Sequence, residues 1–265
     1  MEERAKVLPL PSRLQPKEGA PQPLALEFTN PPAALLLEPI VRAGLAEDLG
    51  RAGDITTDAI IPADETARAV IAAREAGVVS GLIAADLAFK LVDPAVRLTP
   101  RAPDGSEVAP GSVIAELEGP ARAILTGERV ALNFIVHLSG VATATQRLVK
   151  AVAGTKARII CTRKTLPGLR VLQKYAVRCG GGLNHRFGLD DAVLIKDNHI
   201  AAAGGVGASI KALRGRLGPM VKIEIEVDTL AQLDEALPAG AEAILVDNKS
   251  PEMMKRPVAI TNGYA

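Results

Sequence analysis

The 265-residue chain has no tryptophan, four phenylalanines, two tyrosines and two cysteines. Aromatics at 2% leave little to stack on nucleic-acid bases. Cys161 and Cys179 make no disulfide framework, and no Cys-x-x-Cys spacing marks a zinc site. Neither has a histidine partner in a nucleophile motif, so both read as structural. An excess of one charge is missing too. Thirty-one basic residues against 30 acidic ones give a net charge of +1, so no global field draws the chain to nucleic acid or an anionic membrane. No apolar run approaches the roughly 20 residues of a membrane-spanning helix, and the proline-rich N-terminus lacks the apolar centre of a signal peptide. The expectation is a soluble, cytoplasmic protein. What is plentiful is hydrophobic content, 48%, enough for one large core or two modest ones.

Punctuation divides the chain. Residues 1–32 form a Pro-rich leader closed by Asn30-Pro31-Pro32. Ala33–Leu49 has helical spacing, and the Gly- and Thr-rich run 47–62 reads as a loop. Residues 67–75 alternate like a strand, Leu82–Val92 like a helix, and 95–99 and 112–119 like short strands. The first part, 33–133, is therefore an α+β unit. A long helix spans about 121–152. The part from 134 to 265 continues as βα units, with strands at 157–162, 192–196, 221–227 and 243–247. Helices follow at 169–179, 208–217, 230–237 and 251–261. Such alternation predicts a parallel sheet or an α/β barrel.

In either architecture chemistry sits beyond the C-terminal ends of the strands. Those ends read Thr162-Arg163-Lys164-Thr165, Lys196-Asp197-Asn198-His199, Glu226-Val227-Asp228 and Asp247-Asn248-Lys249. One charged ending is most simply a strand meeting solvent. Four in succession, two cationic and two acidic, describe a pocket for a polyanion with acids that manage a metal or a developing positive charge. In the third strand Lys222, Glu224, Glu226 and Asp228 share one face and Val221, Ile223, Ile225 and Val227 the other. A half-solvated edge strand alternates in the same way. Inside a βα series the charged face instead points away from the helices, and cations from neighbouring strands or a ligand must neutralise it.

The blocks TRKTLPGLRVLQKYAV (162–177), GGGLNHRFGLDDAVLIKDNH (180–199), EIEVDTLAQL (224–233) and ILVDN (244–248) closely resemble the signatures of the quinolinate phosphoribosyltransferase family. EDLGRAGDITT (47–57) and GERVALNFIVHLSGVAT (127–143) extend the resemblance from about residue 45 to 262. It implies an N-terminal α/β sandwich domain followed by an open, incomplete parallel α/β barrel. It also implies transfer of phosphoribose from phosphoribosyl pyrophosphate to quinolinate, with Mg²⁺, giving nicotinate mononucleotide, CO₂ and pyrophosphate, and with no covalent enzyme intermediate. By motif match, Thr162, Arg163, Lys164, His185, Arg186 and Lys196 would bind substrate. Arg129 would reach in from the partner subunit of a homodimer or higher homo-oligomer; the sequence alone allows it to be an exposed helix charge beside Glu128. Glu226 and Asp247 would hold ribose hydroxyls or Mg²⁺ and stabilise positive charge at C1 as pyrophosphate leaves, with Lys164 as a third catalytic group. Arginine suits a dicarboxylate because its planar donors meet carboxylates in pairs.

The run Gly180-Gly181-Gly182 is expected to turn the backbone sharply toward Asn184-His185-Arg186. Asp197 and His199 either cap the next helix or support the site from behind, and His137 reads as a packed structural histidine. Family chains usually continue beyond residue 265 with two strands whose glycine loops hold the phosphate, so the chain reads as truncated and weakened toward phosphoribosyl pyrophosphate. Alternatives are a paralogous transferase for another anionic acceptor, or a truncated homologue with little activity. The hairpin-like 104–120 lacks the turn lysine of a biotinyl or lipoyl carrier.

Overall fold

A computed structural model describes residues 30–261. The expected leader lies, through residue 29, outside the described residues, and its closing Asn30-Pro31-Pro32 is irregular. The chain falls into two compact units. The first runs through Ile159 and takes in Val171–Leu183; the second is Ile160–Arg170 with Asn184 onward. The boundary expected between 133 and 134 falls inside an unbroken helix, where no change of hydrophobic pattern marks it.

In the first unit the order is α1 (Ala34–Leu49), α2 (Ile55–Ile60), β1 (Thr66–Ala72), β2 (Gly77–Val78), α3 (Leu82–Val92), β3 (Arg97–Pro100), β4 (Glu107–Val108), β5 (Val113–Pro120) and α4 (Ala121–Ala151). Antiparallel strands in the order β1-β5-β3 form one sheet, and β2 pairs with β4. Leu37, Val41 and Leu45 recur every fourth residue along α1 and are all buried. In α3 the buried face is Leu82, Ala84, Ala85, Ala88 and Phe89, and its three alanines are small enough for α4 to come close. Contact is tight at Gly127, where a Cβ would stand 2.9 Å from the Phe89 ring. The loop reading of 47–62 needs correction. Asp54 accepts the Thr57 N–H at 3.0 Å and starts the six-residue α2, an N-cap signal carried by the sequence itself.

Helix α5 (Arg170–Cys179) leaves this unit only at its first residue. Leu172, Tyr175, Ala176 and Cys179 are buried. The Tyr175 hydroxyl donates to Asp104 at 2.9 Å, and the same carboxylate receives the Gly81 and Leu82 N–H groups at the start of α3, each at 3.1 Å. Burial, then the neighbouring Asp104 charge, pushes the Tyr175 phenol far above its ordinary range; burial also raises the Cys179 thiol. His137 lies 2.9 Å from the Gln173 amide nitrogen, joining α4 to α5 as a packed histidine. Past α5, Gly181 takes the left-handed conformation (φ +85°) that ends helices. The flanking glycines do something the sequence reading did not foresee. A Cβ on Gly180 would stand 2.3 Å from the Ala142 carbonyl oxygen, and one on Gly182 would stand 2.8 Å from Thr145. They permit close approach to α4 as much as a turn.

The second unit holds β6 (Val193–Ile195), α6 (Asp197–Ala203), α7 (Val206–Arg214), β7 (Ile223–Glu226), α8 (Leu230–Ala236), β8 (Ala243–Leu245) and α9 (Pro251–Thr261). The strands run parallel in the order β6-β7-β8, with Ile195 opposite Ile225 and Ile225 opposite Ile244. The buried side of the sheet presents Ile195, Ile223 and Ile225 to Val206, Ile210, Leu233 and Ala236. These are the βα units of an open barrel. The strand expected at 157–162 is reduced to a single bridging residue, Ile160, which is itself exposed. Its β-branched residues favour extension, but a strand needs a paired neighbour along its length. Pro257 sits within α9 and is buried, so its side chain is part of the packing.

Candidate active site

Because β6, β7 and β8 are parallel, their C-terminal ends project the same way, and each delivers charge. Lys196 follows β6 directly, Glu226 ends β7, and Asp247 lies two residues beyond β8. On β7 the alternation is as expected: Ile223 and Ile225 are buried, while Glu224 and Glu226 occupy the opposite face. Glu226 is met by a lysine and Glu224 by a histidine. Lys196 Nζ lies 3.0 Å from Glu226 Oε2, with side chains 51% and 20% exposed. His185 Nε2 lies 2.6 Å from Glu224 Oε2, with side chains 23% and 15% exposed. The carboxylate oxygen of Glu226 that faces Lys196 is sealed from solvent and has no aligned hydrogen bond, so this contact is a charge pair held without directional bonding.

The Thr162–Leu169 loop is folded by its own hydroxyls. Thr162 Oγ1 accepts the Lys164 N–H at 3.0 Å, and the Thr165 N–H donates to the Arg163 carbonyl at 2.9 Å. This leaves Lys164 exposed and Arg163 half-buried. The Arg163 Nε is shielded from solvent and has no protein acceptor. A buried donor left open is costly, and an anion arriving there would satisfy it. Across the unit, Arg186 Nη1 donates to the Ala192 carbonyl at 3.1 Å, just before β6. The Asp191 carboxylate accepts the Phe187 and Gly188 N–H groups at 2.5 and 2.9 Å and shapes the bend that follows Arg186.

His199 Nδ1 accepts the Lys196 N–H at 2.9 Å, so His199 caps α6 and at the same stroke fixes the backbone of Lys196. Asp197 opens that helix, its carboxylate accepting the Asn198 N–H at 2.8 Å. The Asp247 carboxylate accepts the Asn248 N–H and side-chain amide at 3.0 and 3.3 Å. Asn248 is, among the described residues, the non-glycine residue with positive φ, 52°, a conformation asparagine tolerates better than most. Cys161 Sγ lies 3.4 Å from Asn184 Oδ1.

Thr162, Arg163, Lys164, His185, Arg186, Lys196, Glu226 and Asp247 all belong to the second unit. Arg129 is an exposed residue of α4 in the first unit. Two residues that contact this set escaped sequence reasoning. Glu224 was placed on the charged face, but its partnership with His185 was not foreseen; the period of two was the available signal. Arg170, at the start of α5, carried no signal at all.

Among the described residues no group of three or more His, Cys, Asp or Glu side chains can enclose a metal ion, and no helix is long and apolar enough to cross a membrane.

Comparison with known proteins bears on the family and the fold. Residues 54–139 match the model of the quinolinate phosphoribosyl transferase N-terminal domain, and residues 141–264 that of its C-terminal domain. The chain is 44% identical over 227 residues to a probable nicotinate-nucleotide pyrophosphorylase [carboxylating] of Bacillus subtilis, covering 86% of this chain and 78% of the relative. The corresponding Mycobacterium leprae enzyme is 46% identical over 213 residues, 78% of this chain and 74% of that one. Among solved structures, the nicotinate-nucleotide pyrophosphorylase of Francisella tularensis superposes with a TM-score of 0.84 at 40% identity, covering 89% of this chain and 83% of that one. The N-terminal and C-terminal domain models match one after the other along a single chain: the chain belongs to the quinolinate phosphoribosyltransferase family.

Proposed function

We propose that the chain transfers the phosphoribosyl group of phosphoribosyl pyrophosphate to quinolinate and releases CO₂, a step of pyridine-nucleotide synthesis. What supports this reading is that one compact unit carries Arg163, Lys164, His185, Arg186 and Lys196 together with Glu226 and Asp247 at or just after adjacent strand ends. Four of these five are Arg or Lys, and the Arg163 Nε, which lacks an acceptor within the protein, would be satisfied by a carboxylate. Quinolinate offers two adjacent carboxylates, which suit convergent donors better than a single one does.

In this reading the pyridine nitrogen attacks C1 of the ribose, the C1–O bond breaks, and pyrophosphate leaves with its electron pair. Glu226 and Asp247 face the positive charge that develops at C1. The ring nitrogen is then cationic. The bond from C2 to its carboxylate breaks, its electrons stay at C2 and are stabilised by that nitrogen, and C2 takes a proton from solvent. Lys164, exposed on its loop, would neutralise departing phosphate charge.

The acids present fit Mg²⁺ in one manner. No protein cage exists among the described residues, but Mg²⁺ commonly takes one or two carboxylates and draws its other ligands from phosphate and water. Glu226 and Asp247 would hold it, and it would neutralise pyrophosphate charge. We assign the active form as a homodimer in which Arg129 serves the partner's site. Arg129 is exposed on α4, and the same helix exposes Leu125 and, at 70%, Val136, a surface suited to burial against another chain. The reaction belongs in the cytoplasm, where two cysteines outside any disulfide stay reduced.

The test is depletion of quinolinate by the purified chain with phosphoribosyl pyrophosphate and Mg²⁺, run beside nicotinate. Quinolinate consumption with matching CO₂ release is expected. Consumption of nicotinate instead, or of neither, refutes the reading.

A further inference from the structure

Arg170 stands eight residues beyond Thr162 in the block that supplies Arg163 and Lys164, and its guanidinium touches both that loop and the stretch just after Arg186. Its Nε donates to Thr165 Oγ1 at 3.1 Å, and its Nη1 donates to the Phe187 carbonyl at 3.2 Å. The first contact continues: Thr165 Oγ1 donates onward to the Arg163 carbonyl at 3.5 Å, which also receives the Thr165 N–H at 2.9 Å. A hydroxyl can accept from one side and donate to the other, so Arg170 acts on the backbone of Arg163 through a single atom. The second contact lands on the carbonyl immediately after Arg186. The same stretch is held from the other side by Asp191, through the Phe187 and Gly188 N–H groups.

From these contacts we infer that Arg170 is a positioning residue that sets the distance between Arg163 and Arg186, and so the selectivity of the site for two adjacent carboxylates. The inference rests on the quinolinate reading above. Its physical basis is the shape of the side chain. A guanidinium presents donors in a fixed plane and can bridge two acceptors at a defined separation; a lysine ammonium is a compact charge on a flexible stem and imposes no such spacing. The helix that Arg170 begins does not depend on it. Leu172, Tyr175, Ala176 and Cys179 are buried, and Tyr175 is tied to Asp104. Loss of the bridge should therefore loosen two loops and leave α5 in place.

The experiment compares Arg170→Lys and Arg170→Ala with the unaltered chain. KM for quinolinate should rise about ten- to a hundredfold, the scale on which a misplaced binding group acts, while KM for phosphoribosyl pyrophosphate stays within about twofold. Guanidinium chloride at millimolar concentration should bring the quinolinate KM of Arg170→Ala back toward that of the unaltered chain. Equal rises in both KM values, or no change in either, overturns the inference, as does a lowered melting temperature with no guanidinium rescue. Amide hydrogen exchange of Arg170→Lys supplies an arm independent of substrate. Residues 162–169 and 184–188 should exchange faster together while α5 keeps its protection; acceleration in only one segment, or in neither, refutes the bridge even if quinolinate turnover stands. An unaltered chain that consumes no quinolinate refutes the functional reading, and the selectivity role with it.

Discussion

Replacing Lys196 by alanine separates a structural ion pair from a substrate contact. In the resting chain Lys196 Nζ stands 3.0 Å from Glu226 Oε2, and the lysine side chain is 51% exposed. A pair that open to water contributes about 0–1 kcal/mol to stability, since solvent screens it and holding the long side chain costs entropy. Glu226 would lose its cation but, being 20% exposed, retains some access to water. A loss near 1 kcal/mol corresponds to a melting shift of about 2–4 °C in a chain of this size. Binding is different. If Lys196 meets a quinolinate carboxylate inside a closed site, losing it costs about 2–5 kcal/mol. That is a fall in affinity of roughly thirtyfold to several thousandfold. Calorimetric titration with quinolinate and a thermal melt, run on Lys196→Ala beside Arg51→Ala in the exposed turn after α1, read both quantities. The expected result is a large affinity loss with a small melting shift for Lys196→Ala, and no change in either for Arg51→Ala. Equal quinolinate affinity in the two variants would refute the assignment of Lys196 to the site and leave it as a partner of Glu226 alone.

Two further outcomes concern stability. Gly180→Ala would place a Cβ 2.3 Å from the Ala142 carbonyl oxygen, against backbone that cannot swing aside, and should lower stability by about 1–3 kcal/mol. Gly140→Ala on the same helix α4 meets nothing within 4 Å and should instead raise it by about 0.5–1 kcal/mol; thermal melts of the pair check the opposite signs. In acid, hydrogen bonds from Arg101 to Glu116, from Arg68 to Glu118 and from Arg214 to Glu242 hold these carboxyls below their ordinary value of 4.5, and the Thr57 contact does the same for Asp54 below 3.8. A depressed folded value means that the stabilisation is complete above the unfolded value and drains away as pH falls through the folded one. Denaturant midpoints should thus decline below about pH 4.5, and Glu116→Gln with Glu242→Gln should flatten that decline; an unchanged acid limb in the double variant would contradict it.

How much of this was legible from residues alone depends on the range of the interaction responsible. Helix α3 is delimited at Leu82–Val92 by a buried stripe at helical spacing written within the segment itself; α9, at Pro251–Thr261, has the expected bounds although Pro257 is its one buried residue. Helix α2 was missed although its Asp54 cap was in view: six residues are too few to show a period, and the threonines and glycines around it pointed to a loop. The segment 157–162 failed for another reason. Its composition is that of a strand, but pairing is a property of two segments, and only Ile160 finds a ladder partner.

The same distinction orders the site. Charged residues at Lys196, Glu226 and Asp247 stood out because parallel βα units expose the C-terminal ends of their strands, so position in the local pattern implied position in space. The union of His185 with Glu224 joins residues 39 apart in sequence, and nothing local to either one announces it. Arg170 was least visible of all. Its acceptors are a threonine hydroxyl and a backbone carbonyl, and a carbonyl is offered by every residue, so the sequence holds no complementary letter to search for. Groups that act by charge are spelled out in residue types, whereas groups that act by holding backbone in place become visible only when the backbone does. The substitutions that separate these roles are therefore Lys196→Ala, which removes a charge from the site, and Arg170→Lys, which keeps the charge and removes only the geometry.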